Sequence, residues 1–499
     1  MKCGYLILGN QLFSPDFLKK VLPKGSIGFM REDLGLCTYY KFHKHKIIFF
    51  LTAMRKYAAE LRDSGLVVHY QRISESQPNN YDSALELWLK ENKIKKLFIF
   101  EIEDKFFELR ILNILRRTDV QLEVMQSPMF LSSREDFSEF LATQKKPFMK
   151  TFYERQRKKF KILVDKHMQP EGGAWSYDSE NRLPLPKSIQ PPSVREDFAI
   201  YDAELDAVKK TVDSIFSSHP GESVHFWLPC GRTGARDWLK RFLKDRLKDF
   251  GPYEDAIPEH SEFLYHSVLS PFLNTGLLTP SEVISETLEY ARKNAIPIAS
   301  LEGFIRQIIG WREFVRGIYQ NFSERQEQAN FWRHHKKLTN SWYEGSTNVP
   351  PLDYAIKKIL HYGYATHIER LMVIGSLMLL LEVDPKEAHK WFMEMFVDSS
   401  DWVMGPNVYG MALFSDGGIF ATKPYLCGSN YYRKMGGYKQ EAWCDGVDGL
   451  YWSFIEKHKT FFLKNPRLAM MARTVEKMDA LKKERIYGAA DRLRGLLVK

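Results

Sequence analysis

The sequence predicts an α/β domain of Rossmann-like architecture followed by an all-α domain. Three observations lead there. Short β-rich runs alternate with helical patterns over the first 125 residues, strand signals fade after about residue 225, and 499 residues with 44% hydrophobic content can bury a core large enough for more than one domain.

The expected strands are Tyr5–Leu8, Ile27–Met30, Leu66–Tyr70, Leu97–Phe100 and Gln121–Val124. Between the second and third, residues 44–62 place Ile47, Phe50, Leu51, Met54, Ala58 and Leu61 on one stripe and stop at Ser64-Gly65, as an amphipathic helix does. Strands alternating with helices imply a parallel sheet covered on both faces. No GxGxxG follows the first strand, which excludes an ordinary dinucleotide site. The texture changes over 131–224, where Gly172-Gly173 and Pro184, Pro186, Pro191 and Pro192 mark a long connector. The division is therefore 1–130 for the α/β domain, 131–224 for the connector and 225–499 for the helical domain. Residues 300–319 and 364–381 read as two long helices of that domain, with apolar residues at three- and four-residue steps.

The chain carries 72 Lys and Arg against 62 Asp and Glu, a net +10 that suits phosphate-bearing partners. Most of the excess lies within 141–170, where nine basic residues face only Glu154 and Asp165. Phe148, Phe152, Tyr153 and Phe160 interleave with them, so Lys145, Lys146, Arg155, Arg157 and Lys158 are candidate DNA contacts; a solvated helix face accounts for the charges equally well. Five scattered cysteines build no disulfide framework, the short apolar run at the amino terminus is too brief for a signal peptide, and the longest apolar stretch, 371–381, is too short to span a bilayer. A cytoplasmic protein with no membrane partner is the expectation.

Zinc spacing is absent from His43-x-His45, His334-His335 and the pair His361/His367, and there is no GxSxG, Walker or kinase signature. What remains is a region, 398–425, dense in Trp, Gly, Asn and Asp among aromatics. A buried planar ligand needs such residues, and a loop-rich core would also use them.

At these residues the chain resembles the cryptochrome/photolyase family. Within it, the chain is similar to the bacterial branch of deoxyribodipyrimidine photolyase-related proteins, the iron–sulfur bacterial cryptochromes and photolyases, whose characterised activity is (6-4) photoproduct repair. The resemblance covers nearly the whole chain through LGNQL at 8–12, HKIIFFLTAMRKYA at 45–58, FMKTFYERQRK at 148–158 and GGAWSYDSENRLPLP at 172–186. It continues in HSVLSPFLNTGLLTP at 266–280, LEGFIRQIIGWREFVRG at 301–317, YATHIERLMVIG at 364–375 and WVMGPNVYGM, DGG and TKPY within 402–425.

The resemblance implies an antenna domain at the amino terminus and a carboxy-terminal domain holding bent FAD. His266, Ser267, Ser270, Glu302, Arg306, Gln307, Trp311, Asp398, Asp401 and Asn407 fall in the motifs that line the flavin. It further implies a light-dependent DNA photolyase in which reduced FAD donates an electron to a flipped lesion, most specifically a (6-4) product. His367 handles the proton, Tyr425 and Tyr431 flank the pocket, and Trp391 and Tyr343 lie on an electron path. A ribityllumazine antenna is compatible with 43–57. The partner is damaged DNA and the protein is expected to be a monomer.

Four departures qualify this. Pro351, Lys439 and Ala442 stand at or near three of the four cysteine positions of the branch's [4Fe–4S] cluster, leaving Cys444, so no cluster is expected and helix packing around Tyr451 and Trp452 should take its place. The paired histidines of the branch read Thr366-His367. Met404 replaces an acidic residue usual near the flavin, and Phe392 and Tyr343 replace differently tuned aromatics. These departures keep a blue-light photoreceptor without repair activity as the alternative, and a nucleic-acid binder with structural flavin as a third reading.

Overall fold

A computed structural model describes residues 2–74, 80–193, 202–259 and 261–499. Residues 194–201 of the expected connector lie outside them. Five strands, β1 (Cys3–Leu6), β2 (Ile27–Arg31), β3 (Val67–Gln71), β4 (Lys96–Phe100) and β5 (Gln121–Met125), form one parallel sheet in the order β3-β2-β1-β4-β5. Both faces are buried because alternate side chains point to opposite sides. Tyr5, Met30, Phe98 and Phe100 face the helix α1 (Lys44–Asp63), while Leu6, Phe29, Leu97 and Ile99 face α2 (Tyr81–Glu91) and α3 (Lys105–Arg116). His43 caps α1, its Nδ1 accepting from the His45 amide at 3.1 Å, and Gly65, at φ +84°, follows its end. β1 ends two residues earlier than the sequence predicts; Leu8, with Gly9 and Asn10, instead lines a cavity above the sheet.

The helix α4 (Met149–Phe160) opens the second half, where every further labelled element is helical. The long helix expected over 300–319 is α5 (Ile298–Ile305), a wide π-helical turn at Arg306–Arg312, and α6 (Glu313–Gln328). Residues 364–381 begin differently from the expectation: the Thr366 amide and hydroxyl both donate to Glu369 Oε2, at 2.9 and 2.8 Å, so the Glu369 carboxylate reaches back to satisfy the residue before the helix, and Tyr364 and Ala365 stay outside it. Two further π turns, Glu369–Gly375 and Pro406–Ala412, flank α7 (Pro385–Met395). The two halves are joined by buried ion pairs, with Arg316 of α6 reaching Glu103 at 3.0 Å and Glu101 at 3.4 Å.

The carboxy-terminal helices α8 (Ala442–Lys457) and α9 (Ala480–Leu497) pack so closely that a Cβ on Gly449 would collide with the Ile486 carbonyl. Tyr451 and Trp452 touch at 4.8 Å but are only half-buried. Val447, Leu450, Phe454 and Ile455 fill the core there, because they lie on the inward stripe of α8. Cys444 is buried, and its thiol lies 3.9 Å from the Lys439 carbonyl.

Candidate functional site

The helical half encloses a cavity of about 780 Å³, within the range of small-molecule sites. All three π turns contribute to its wall, in keeping with the frequent placement of π-bulges at functional sites. The first supplies Arg306, Gln307, Trp311 and Arg312, the second Leu371 and Met372, and the third Asn407 and Met411.

Asp398 organises one side. Its carboxylate takes both Arg370 Nη groups, at 2.9 and 3.1 Å, and the Ser270 hydroxyl at 2.6 Å. Its carbonyl accepts from Asn274 Nδ2 at 2.9 Å, and Asn274 Oδ1 accepts from Arg312 at 2.6 Å. Opposing charge and three donors on a buried carboxylate, with a fourth on its backbone carbonyl, hold that wall rigid. Arg306 organises the other. Its Nε donates to Glu302 at 3.1 Å and its Nη1 to Asp178 at 3.3 Å. Glu254 accepts from Gln307 at 2.6 Å and Asn181 at 3.2 Å, and burial raises its carboxyl to about 8 despite the nearby Arg306. Burial lowers the imidazoles of His266 to about 3 and of His367 to about 4, the latter also opposed by Arg370, so both are neutral at pH 7. His266 Nε2 donates to the Glu254 carbonyl at 3.1 Å.

The cavity brings together His266, Ser267, Ser270, Arg306, Gln307, Trp311, Asp398, Asn407, His367, Tyr425 and Tyr431, all nominated from the sequence. Four nominated residues stand elsewhere. Glu302 lies behind the wall, fully buried, accepting from the Tyr153 hydroxyl at 2.8 Å and the Tyr177 amide at 2.9 Å, so it positions Arg306 without facing the cavity. Asp401 faces the α/β half, where burial and Asp104 raise its carboxyl to about 7 and His389 lies 3.9 Å away. Trp391 is fully buried and donates to the Trp342 carbonyl at 3.0 Å; Tyr343 donates to Glu394 at 2.9 Å.

Among the nominated DNA contacts, Lys145, Lys146 and Lys158 are exposed, and Arg155 is partly exposed beside Glu139 at 3.3 Å. Arg157 is a correction. It has no exposed surface and donates to the carbonyls of Ile162, Leu163, Ala174 and Trp175, so it is enclosed by backbone and presents nothing to a phosphate. Met404 is packed in the core while its neighbour Val403 lines the cavity, and Thr366 is tied to Glu369. Sequence reasoning missed Glu254, Asn274, Arg312 and Trp175. Asn274, Arg312 and Trp175 lie inside the motifs of the resemblance, but only their placement shows what they face.

A second, smaller cavity of about 170 Å³ sits above the sheet between the loops that follow β1 and β4. That is where the strand order reverses direction, the usual ligand crevice of an open α/β sheet. Asn10, Lys46 and Asp104 line it, and it shares Asn274 and Asp398 with the large cavity.

These two cavities on a parallel sheet and a helical half define the architecture of a photolyase. Residues 5–228 match the model of the deoxyribodipyrimidine photo-lyase-related proteins, and residues 304–436 match the FAD binding domain of DNA photolyase. The chain is 32% identical to a (6-4) photolyase of Agrobacterium fabrum over 95% of both chains, and 28% identical to a deoxyribodipyrimidine photo-lyase of the same organism over 36% of this chain and 39% of that one. Its fold is similar to that of a bacterial class III photolyase from Agrobacterium tumefaciens, with a TM-score of 0.60 at 17% identity over 99% of this chain and 98% of the other. A Synechocystis cryptochrome gives 0.58 at 14% identity over 99% of both. The chain belongs to the cryptochrome/photolyase family, and its helical half carries that family's FAD-binding domain.

The residues fit the cofactor. Arg306 Nη2, Arg312 Nε and Asn181 Oδ1 are buried at or beside the cavity without a hydrogen-bond partner, a cost that a polyanionic, hydrogen-bonding ligand removes. Among the described residues no helix is long and apolar enough to cross a membrane, and no group of three or more His, Cys, Asp or Glu could hold a metal ion.

Proposed function

We propose that the protein is a light-dependent DNA photolyase acting on (6-4) pyrimidine photoproducts. The observation that carries this reading is the shared cavity, in which the His367 imidazole and the phenols of Tyr425 and Tyr431 join the Arg306, Gln307, Asp398 and Asn407 cluster. When bound, reduced FAD supplies the photoexcited electron donor. Arg306 and the Ser267 and Ser270 hydroxyls suit its pyrophosphate, while Asp398, Asn407 and Gln307 suit its hydrogen-bonding ring edge. His367, neutral at pH 7, accepts a proton at its bare ring nitrogen and donates from the other, which lets it relay a proton without holding charge beside Arg370. Tyr425 and Tyr431 bound the lesion and keep water away from it. Trp391 stands 5.9 Å behind Phe396, which lies 4.0 Å beneath Arg370, so Trp391 is the oxidisable side chain behind this wall that would pass an electron from an external reductant to bound flavin. The small cavity suits a flat antenna pigment of the ribityllumazine class, with Lys46 and Asp104 at its polar edge.

Thr366 and Met404 favour a second reading, a blue-light photoreceptor without repair, because neither presents a polar group to the cavity. One set of measurements separates the two. Denatured, anaerobically purified protein should release about one FAD per chain with iron and acid-labile sulfide near background, and the native protein should restore a (6-4) lesion under blue light. FAD without repair of any defined lesion favours the photoreceptor, and protein that neither contains nor takes up FAD removes both readings.

Lys145, Lys146, Arg155 and Lys158 hold DNA by phosphate contact in this proposal. Neutralising all four should weaken binding and flatten its salt dependence, since each lost contact releases about one counterion fewer. Unchanged affinity would show that they form only a solvated face. Arg157→Ala, by contrast, should lower stability, because four carbonyls lose their shared donor.

A further inference from the structure

We infer that Trp175 is a stacking platform for a nucleobase of the bound DNA, an inference that rests on the photolyase reading. The connector folds back over the cavity through Gly172 and Gly173, at φ +77° and +85°, conformations that side-chain-bearing residues avoid. The next turn carries Trp175, half-buried and part of the cavity wall beside Met149 and Lys150. Its backbone is clamped on both sides. Arg157 donates to the Trp175 carbonyl at 3.0 Å, and two residues on the Tyr177 amide donates to Glu302 at 2.9 Å.

The indole is braced as well. The Arg157 guanidinium lies 5.1 Å and the Lys158 ammonium 5.0 Å from its ring, cation contacts that orient an aromatic plane. Arg157 is the buried residue that the sequence suggested for phosphate; its actual work is to fix this ring. Trp238, Trp342 and Trp391 are fully buried packing residues and Trp402 is buried in the cavity wall, whereas Trp175, like Trp311, keeps open surface on the cavity. Around it Lys150 and Lys158 are exposed, while Arg182, also exposed, is paired with Asp178. A rigid aromatic face with exposed lysines beside it suits an unpaired base and its flanking phosphates, and stacking of that kind tolerates any base. A flipped lesion leaves such a base beside it. Trp175 thus belongs to substrate binding and positioning, apart from the proton handling of His367.

The test compares Trp175→Ala and Trp175→Phe with the parent protein, each loaded with FAD, for equilibrium binding to a duplex containing one (6-4) lesion at several salt concentrations. Stacking predicts binding about tenfold weaker for Trp175→Ala, with an unchanged salt slope, and recovery of most of the loss in Trp175→Phe. Flavin content and melting temperature should match the parent. Binding within twofold of the parent overturns the inference. So does loss of FAD from Trp175→Ala, which would place the ring in the cofactor cradle, and so does a flattened slope, which would make it a prop for Lys158. A parent protein that binds no lesion DNA overturns the photolyase reading and this one together, whereas parent binding with an indifferent Trp175→Ala overturns this one alone.

Discussion

His367→Ala should lower (6-4) repair by about 10² to 10⁴, the usual worth of a positioned acid–base group, while flavin content stays at the parent level. The two halves of this expectation come from different parts of the site. The polar framework suited to the cofactor runs through Asp398, Arg370, Ser270 and Arg306, none of which bonds to His367. Neither Thr366 nor His266 can take over the proton. Thr366 spends its hydroxyl on Glu369, and His266 commits Nε2 to the Glu254 carbonyl and is lowered further than His367 by burial. Single-turnover repair under blue light, with FAD absorbance recorded on the same samples, measures both quantities. Equal repair by variant and parent would remove the assigned role, and a fall in repair matched by a fall in FAD would make His367 a cofactor residue.

The sheet was legible because its signal is local. β-rich runs of four or five residues, each buried on both faces, allow little freedom in where a strand falls, and the five expected runs lie within two residues of β1 to β5. The helical half was legible as helix from its period, and as site only through the motifs that carry the family resemblance. A 3.6-residue period fits 300–319 well enough to hide the π turn at Arg306–Arg312, because one i→i+5 step leaves the apolar count unchanged while turning Trp311 and Arg312 toward the cavity. Charge was the least legible property. Arg157 sits among eight other basic residues in sequence, yet in space it is enclosed by carbonyls, and nothing in composition separates it from Lys158 next to it. The same holds for Asp398 and Asp401, three residues apart, of which one lines the large cavity and the other faces Asp104. Glu254 carried no signal at all, since its importance lies in Asn181 and Gln307, which the fold brings to it from distant segments.

The second large effect is on stability. Where α1, the end of the connector and the segment around Gly363 meet, buried imidazoles join the two halves of the molecule. His43 Nε2 bonds to the Leu360 carbonyl at 3.0 Å, His45 Nε2 to the Glu222 carbonyl at 2.9 Å, and His219 Nδ1 to the Phe42 carbonyl at 2.8 Å. His225 stacks on His361 at 4.0 Å close by. Burial lowers His43 well below the ordinary histidine value and His45 to about 4; His361, His225 and the lysines Lys41 and Lys44 oppose charge there, while Glu394 only partly offsets this for His219. His45 Nδ1 is buried with no partner, so a proton placed on it gains nothing. The unfolded chain, whose histidines titrate near 6.5, therefore binds more protons than the folded one between that value and the lowered folded values. Stability is fully present above about pH 6.5 and is lost as pH falls toward 4. At pH 5, His45 alone costs about 2 kcal/mol, from about 1.4 kcal/mol per pH unit. His45→Gln keeps a donor for the Glu222 carbonyl but cannot be protonated. Urea unfolding at pH 7.5 and pH 5.0 should show the parent losing about 2 kcal/mol more than this variant between the two conditions, whatever the other buried histidines contribute, and an equal loss in both proteins would place the acid sensitivity outside this junction.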